Sequence, residues 1–549
     1  MLATDGNVKH VAPEDRRAEI RRIADEVAAG AGGRVPPSAD TEALLDEVTG
    51  LVEGPMGVAG TFDAAFLSLP RAVIEIVMKK HQRYFAVEES DGTALLPAYV
   101  AIANEPCDPD ACRVGYDKVL QARLEDALFY YEADKATPLS EHHAKLHGTK
   151  FHPRLGTLLD KCKRVQTLVR PVGDLVGADE SAITAAEDAA KFLSFDLSSQ
   201  VVMEFPTLAG TMATHYALEA GESQTTATAL GDAYLPKDSG VSSAADVPSS
   251  SAGHLLALCD KLDAFVGLYR VGCAPQANAD PFAMRRLAYG VLALLMGPSN
   301  PALAGAGDLS KVPQHSADVA ALVALVLRNL EASGTLVDAP PPAPEESKGK
   351  GNKRGGKKAA ADGTDVEMVE FLERRLYQLL ADANAAPAEA IRAVQGARGG
   401  DPHLVASSLA VLAPKLADGS LTELLGAYVR CVRITSKNAD AANAALAGAT
   451  GKAALSAIDT ELFDDSANPS ERALYSALAT AYESYDANMS LDMWIAMSMP
   501  LVEPAAAFFD GTMVMDDNEA LRTNRLKLVT ALVGLADGVV DVSELTGLY

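Results

Sequence analysis

The chain has 549 residues, well beyond what one hydrophobic core spans, so three or four domains are expected. Alanine and leucine dominate and aromatic residues make up only 5%, which predicts a mainly α, multidomain protein with one α/β region. A formal net charge of -26 argues against indiscriminate nucleic-acid binding, and six cysteines without a CxxC pair point to reduced thiols rather than a disulfide framework.

Residues 1–43 read as a helical tether: Glu14 to Ala29 has a helical charge pattern and ends in the Gly/Pro hinge "GAGGRVPPSAD". The first residues hold acids and no apolar leader core, so either no targeting peptide exists or the natural start lies upstream. Residues 44–143 form the α/β region, in which "YFAVEESDGTALLPAYVAIAN" predicts a β-hairpin turning at Ser90-Asp91-Gly92. Just before it, in "IVMKKHQRYFAV", Lys79, Lys80, His81 and Arg83 crowd beside Tyr84 and Phe85. Residues 144–335 read as helical, broken by "KDSGVSSAADVPSSSAG"; one helix starts near Gly253, and another opens at Asp280, with Pro281 in its first turn. The longest apolar run, Val319 to Leu327, is less than half a membrane span. Residues 336–364 are a basic, Pro/Gly/Lys-rich stretch expected to be disordered. Residues 365–549 return to helical periodicity and make a C-terminal domain.

No catalytic residue is expected. GxSxG, HExxH and strand-borne GxGxxG patterns are absent, and His142-His143 read as solvated helix surface. Gly351 with Gly356-Lys357 imitates a P-loop, but Lys358 stands where a hydroxyl must reach the metal. Asp260 in "LCDKLD" and Asp196 in "FLSFD" match positions of HD-type metal sites, yet Phe195 replaces the histidine, so a degenerate site without metal is expected. What recurs is positive charge: Lys79 to Arg83, Lys161-Lys163-Arg164, Arg285-Arg286, "YVRCVRITSK" and "LRTNRLKL". Interleaved with Tyr84, Phe85 and Tyr428, these clusters suit RNA, which needs phosphate neutralisation together with stacking surfaces.

The blocks "LLDEVTGLVEGPMGVAGTFDAAFLSLP", "MKKHQRYFAV", "VLQARLEDALFYYEAD", "FHPRLGTLLDKCKRV", "ALCDKLDAFVGLYRVGCAP", "DPFAMRRLAYGVL" and "FFDGTMVMDDNEALRTNRLKLV", in this order, resemble the β subunit of the bacterial-type, heterotetrameric glycyl-tRNA synthetase, also found fused in chloroplasts. The resemblance runs from about residue 44 onward, weakening between about 300 and 425. It implies a subunit of glycine-tRNA ligase that positions tRNA(Gly), while an α subunit, separate (α2β2) or fused, carries the aminoacylation site with its ATP and Mg. No cofactor or metal is then expected on this chain, and no class I or class II synthetase motif is present.

The same resemblance implies an editing-domain-like body, a degenerate HD domain and an anticodon-binding domain like that of arginyl-tRNA synthetase. Implied tRNA contacts are Lys79, Lys80, His81, Arg83 and Tyr84 in the body. In the HD-like region they are Lys161, Arg164, Arg285 and Arg286, and at the anticodon arm Arg430, Arg433, Lys437, Arg522, Arg525 and Lys527. The chain is expected to lack the family's N-terminal portion. Its compartment would be the chloroplast stroma, possibly also the mitochondrion, in a eukaryote or the cytoplasm in a bacterium, with no membrane partner. The rival readings are an HD-type metal-dependent phosphohydrolase and a non-catalytic RNA-binding scaffold.

Overall fold

A computed structural model describes residues 12–238, 241, 243–305, 309–310, 312–336, 364–438, 451–463 and 469–547. The P-loop imitation, with all but the two ends of the 336–364 insertion, lies outside the described residues. Mostly helical, with a small antiparallel sheet, the chain falls into two compact units: residues 1–149 with 192–231, and residues 150–191 with 232–549. The 144–335 segment expected as one domain is thus shared between the units. No single described helix is both long and apolar enough to cross a membrane.

The first unit holds a four-stranded sheet in the order β1-β3-β4-β2, with β1 Gly33–Arg34, β2 Pro55–Thr61, β3 Phe85–Glu89 and β4 Leu95–Asn104. The β3–β4 hairpin turns where the sequence predicts, with Gly92 at φ 79° supplying the left-handed turn residue. Helix α1 (Pro13–Gly30) corrects the expectation of a tether. Its Ile20, Ala24 and Ala28, spaced by four, are buried in one core with Leu45 and Val48 of α2 (Ala39–Leu51) and with Phe85, Val87 and Val100 of the sheet. A Cβ added at Gly57 would lie 2.5 Å from Ile23, so the glycine is what lets α1 approach β2.

After β4 the chain enters α4 (Pro109–Lys135); α3 (Arg71–Ile76) lies between β2 and β3. Near the end of α4, buried Asp134 accepts from Gln200 N (2.8 Å), Val201 N (3.0 Å) and the Tyr216 hydroxyl (2.9 Å). This carboxylate caps a short helix and ties residues 192–231 into the first unit.

In the second unit the Ser251–Arg270 helix is buried on almost every side, packed by the helices Leu158–Leu175, Glu180–Ala190, Met284–Met296 and Val319–Ala332. Asp280 does cap the Met284–Met296 helix, accepting from Met284 N at 2.7 Å and Arg285 N at 3.0 Å, but it does so from a preceding turn, and Pro281 stays outside the helix. The Thr364–Asp382 helix packs on Val319–Ala332 and Met284–Met296, so the expected HD-like and C-terminal regions share this unit.

Candidate nucleic-acid interface

In the first unit, α3 runs into a wide π turn, Val77–Gln82, which Arg83 ends with φ 56°. Val77 and Met78 anchor the turn in the core, and the four basic residues that follow meet different fates. Lys79 pairs with Asp40 (2.9 Å) and Arg83 with Glu47 (2.9 Å), both carboxylates of α2. His81 stands edge-on to Phe205 at 5.6 Å; burial, then the charges of Arg123 and Lys80, push its pKa below the usual histidine range. Lys80 is exposed and, among the described residues, has no ion pair. Tyr84 is buried and stacked on Tyr99 at 4.5 Å, and Phe85 belongs to the core. Neither ring is a platform for an RNA base, which corrects the stacking argument at this turn. His142 also departs from its expected solvated place: it is buried, with Nδ1 at 3.1 Å from Ser198 Oγ and Nε2 at 3.1 Å from the Asp134 carbonyl.

In the second unit, Lys161 and Arg164 point inward. On the Leu158–Leu175 helix they share the buried face with Val165, Leu168 and Val172. Lys161 pairs with Asp260. Arg164, only 1% exposed, holds Asp263 with two bonds of 2.8 and 2.9 Å and also donates to the Leu155 carbonyl at 2.9 Å. Two basic residues three apart thus face two acids three apart on the Ser251–Arg270 helix. The next lysine of that helix, Lys261, is buried too, and burial holds its pKa down to about 8 despite the neighbouring Asp260. Lys161 and Arg164 are consequently structural, not tRNA-facing. Their outward neighbour Lys163, left out of the expected contacts, is exposed beside a cleft of ≈ 570 Å³ that Thr167, Asn329 and Thr335 help to line.

The two degenerate HD positions belong to different units. Fully buried Asp196 accepts from Gly210 N at 2.8 Å in the first, whereas Asp260 is engaged by Lys161 in the second. Among the described residues no three His, Cys, Asp or Glu side chains form a group that could hold a metal ion. With its expected carboxylates bonded to protein donors, the phosphohydrolase reading has no ligand set here. Arg285 folds back on the Gln276 carbonyl at 2.6 Å, while Arg286 is exposed, with no ion pair among the described residues.

Towards the C-terminus, the Glu519–Gly534 helix uses its cations on its own unit. Arg522 donates to the Asp516 carbonyl (3.0 Å), Lys527 to the Ala457 carbonyl (2.7 Å), and Arg525 bridges Glu471 and Asp516. All three clamp loops of their own unit, and Arg525 has its charge matched by Glu471 and Asp516. The Thr422–Lys437 helix differs. It buries Leu424, Leu425, Tyr428 and Val429, and the Tyr428 ring packs on Trp494 with its hydroxyl 3.0 Å from Ser498 Oγ, unavailable for stacking on a base. Its outer face presents Arg430, lying over the Phe509 ring at 5.1 Å, with Arg433 and Lys437 exposed and without ion pairs among the described residues. At spacings of three and four these cations form one strip.

A profile of the glycyl-tRNA synthetase beta subunit family matches residues 4–396. Among curated relatives, the chloroplastic/mitochondrial glycine–tRNA ligase 2 of Arabidopsis thaliana is 34% identical over 97% of this chain and 44% of its own length. The glycine–tRNA ligase beta subunits of Bacillus subtilis and Nitratidesulfovibrio vulgaris are 29% and 32% identical, over 98% and 97% of this chain and 68% of their own lengths. The chain therefore spans less than half of the plant relative and about two thirds of the bacterial ones.

Proposed function

The chain belongs to the glycyl-tRNA synthetase beta subunit family, and from that premise we propose that it grips tRNA(Gly) for a glycine-tRNA ligase whose aminoacylation site lies on an α subunit. The observation that carries the tRNA-gripping part is the outward strip of Arg430, Arg433 and Lys437, cations with no ion pair among the described residues, on a firmly packed helix. Lys80, Lys163 and Arg286 are further exposed cations without ion pairs among the described residues. Against a net charge of -26, long-range repulsion of tRNA is screened beyond about 8 Å at physiological salt. Local contacts then decide binding, and phosphate neutralisation makes it salt-dependent.

In this proposal the chain contributes orientation rather than acid-base chemistry; ATP and magnesium belong to the α partner, separate or fused. The degenerate HD and anticodon-binding assignments are part of it, with Arg430, Arg433 and Lys437 as the anticodon-arm contacts. The compartment is chloroplast or mitochondrion if the source is eukaryotic, cytoplasm if bacterial. The test is glycine charging of tRNA(Gly) by a bacterial-type α subunit with and without this chain. A large stimulation is expected. A folded chain that neither stimulates charging nor binds tRNA in a direct titration would overturn the proposal.

A further inference from the structure

The entry into α4 brings two thiols together. Asp108 is the cap, its Oδ1 accepting from Asp110 N at 3.0 Å and Ala111 N at 3.4 Å, and Pro109 is the first helical residue. Cys107 therefore precedes the cap and Cys112 is the fourth helical residue. Side chains at these two positions meet across a capped helix start, where an apolar pair ordinarily staples the incoming chain to the first turn. Here both are cysteines, both reduced and partly exposed. Burial, and next the neighbouring Cys112 thiol, push the Cys107 thiol above its ordinary pKa, and Cys112 also adjoins the Tyr116 hydroxyl.

We propose that Cys107 and Cys112 form a reversible disulfide that staples the start of α4 covalently. With a low-molecular-weight disulfide such as glutathione disulfide as oxidant, one cysteine thiolate attacks the oxidant's S–S bond and releases one glutathione thiolate. The second cysteine thiolate then attacks the cysteine sulfur of that mixed disulfide and releases the other glutathione thiolate. Two protein thiols are oxidised, one disulfide is reduced to two thiols, and the two protons lost by the cysteines are taken up by the released glutathiones. Closure joins residues five apart in the chain. The turn it locks carries Tyr116, whose ring lies 5.5 Å from Tyr84, itself stacked on Tyr99; the Tyr99 hydroxyl donates to Asp117 at 2.7 Å. A redox change at the staple therefore acts on the helix turn that steadies the aromatic stack next to the Lys79–Arg83 turn.

The test incubates the full chain with glutathione disulfide at mildly alkaline pH, blocks remaining thiols and digests with trypsin. Both cysteines fall in the peptide Tyr84–Arg113. The expected product is that peptide unblocked and lighter by two hydrogens, restored to a dithiol by dithiothreitol, with slower hydrogen exchange at the amides of 110–115 in the oxidised protein. Cys112→Ser should stop at a glutathione adduct on Cys107, and Cys273→Ser should leave closure unchanged. Persistent glutathione on both sulfurs of the wild-type chain, or two free thiols in a large excess of oxidant, would overturn the proposal, and this wild-type readout stands even if a variant fails to fold.

Discussion

Two helices of the second unit carry similar basic clusters and use them in opposite ways. On Leu158–Leu175, Lys161 and Arg164 lie in phase with the apolar stripe, so their charges are buried and must be matched by Asp260 and Asp263. On Thr422–Lys437, Arg430, Arg433 and Lys437 lie out of phase with Leu424, Leu425 and Tyr428, so their charges stay in water. The phase of a cation relative to its helix's own apolar positions, rather than local charge density, separates an internal brace from a ligand-facing group.

The largest expected effect comes from breaking the brace. Arg164→Ala would leave Asp263 buried and uncompensated, at a cost of about 3–5 kcal/mol, read as a lowered urea midpoint. Replacing both partners with Met and Leu should recover most of that loss. If Arg164→Ala instead lowers tRNA affinity in a chain of undiminished stability, the contrast between the two helices fails. A second large effect concerns Lys261. In the fold, burial holds its pKa down to about 8, against an ordinary lysine value of 10.5. Between these values the unfolded chain keeps a proton that the folded chain has released, so this group's contribution to stability rises with pH across that window. Lys261→Met should therefore be more stable than wild type at neutral pH, by about 3 kcal/mol. That advantage should fade as pH climbs from about 8 to about 10.5; an advantage independent of pH would contradict the assigned burial.

A middle-sized effect sets the strip against the clamp. Arg433→Ala with Lys437→Ala should change stability by less than about 0.5 kcal/mol. It should weaken tRNA binding roughly tenfold and flatten the log–log salt dependence by about 1.5. Arg525→Ala, which strands the buried Glu471, should do the reverse: lower stability by about 2–3 kcal/mol with the salt slope unchanged.

Much of the fold was legible in the sequence. The helical periodicity, the Ser90-Asp91-Gly92 hairpin and the Asp280 cap are local signals, and local signals survive without tertiary knowledge. The candidate site was legible only as a list of cations. Lys161 and Asp260 lie 99 residues apart, and nothing short-range announces that they meet, although paired spacings of three in "KCKR" and "DKLD" were a usable hint. Tyr84 and Tyr428 were misread because an aromatic beside a basic residue looks the same whether its ring faces base or core; Gly60, over which the Tyr99 ring lies, was the sequence's one trace of the packed aromatic stack. The α1 tether was misread because alanines at 24 and 28 carry little hydropathy yet permit close approach to the sheet.

The smallest effect offers the finest test, because it compares adjacent residues of one turn. Lys79 and Lys80 are indistinguishable by composition, yet Lys79 is tied to Asp40 and Lys80 has no ion pair among the described residues. A surface ion pair of this kind contributes about 0–1 kcal/mol, so Lys79→Ala should barely move stability and, with its charge already matched, should leave tRNA affinity within error. Lys80→Ala removes an unmatched charge and should weaken binding about two- to threefold, with a salt slope reduced by about 0.7–0.9. Equal losses from the two substitutions would mean that Asp40 releases Lys79 when RNA arrives, and that the turn binds as a whole rather than through the exposed cation that has no ion pair among the described residues.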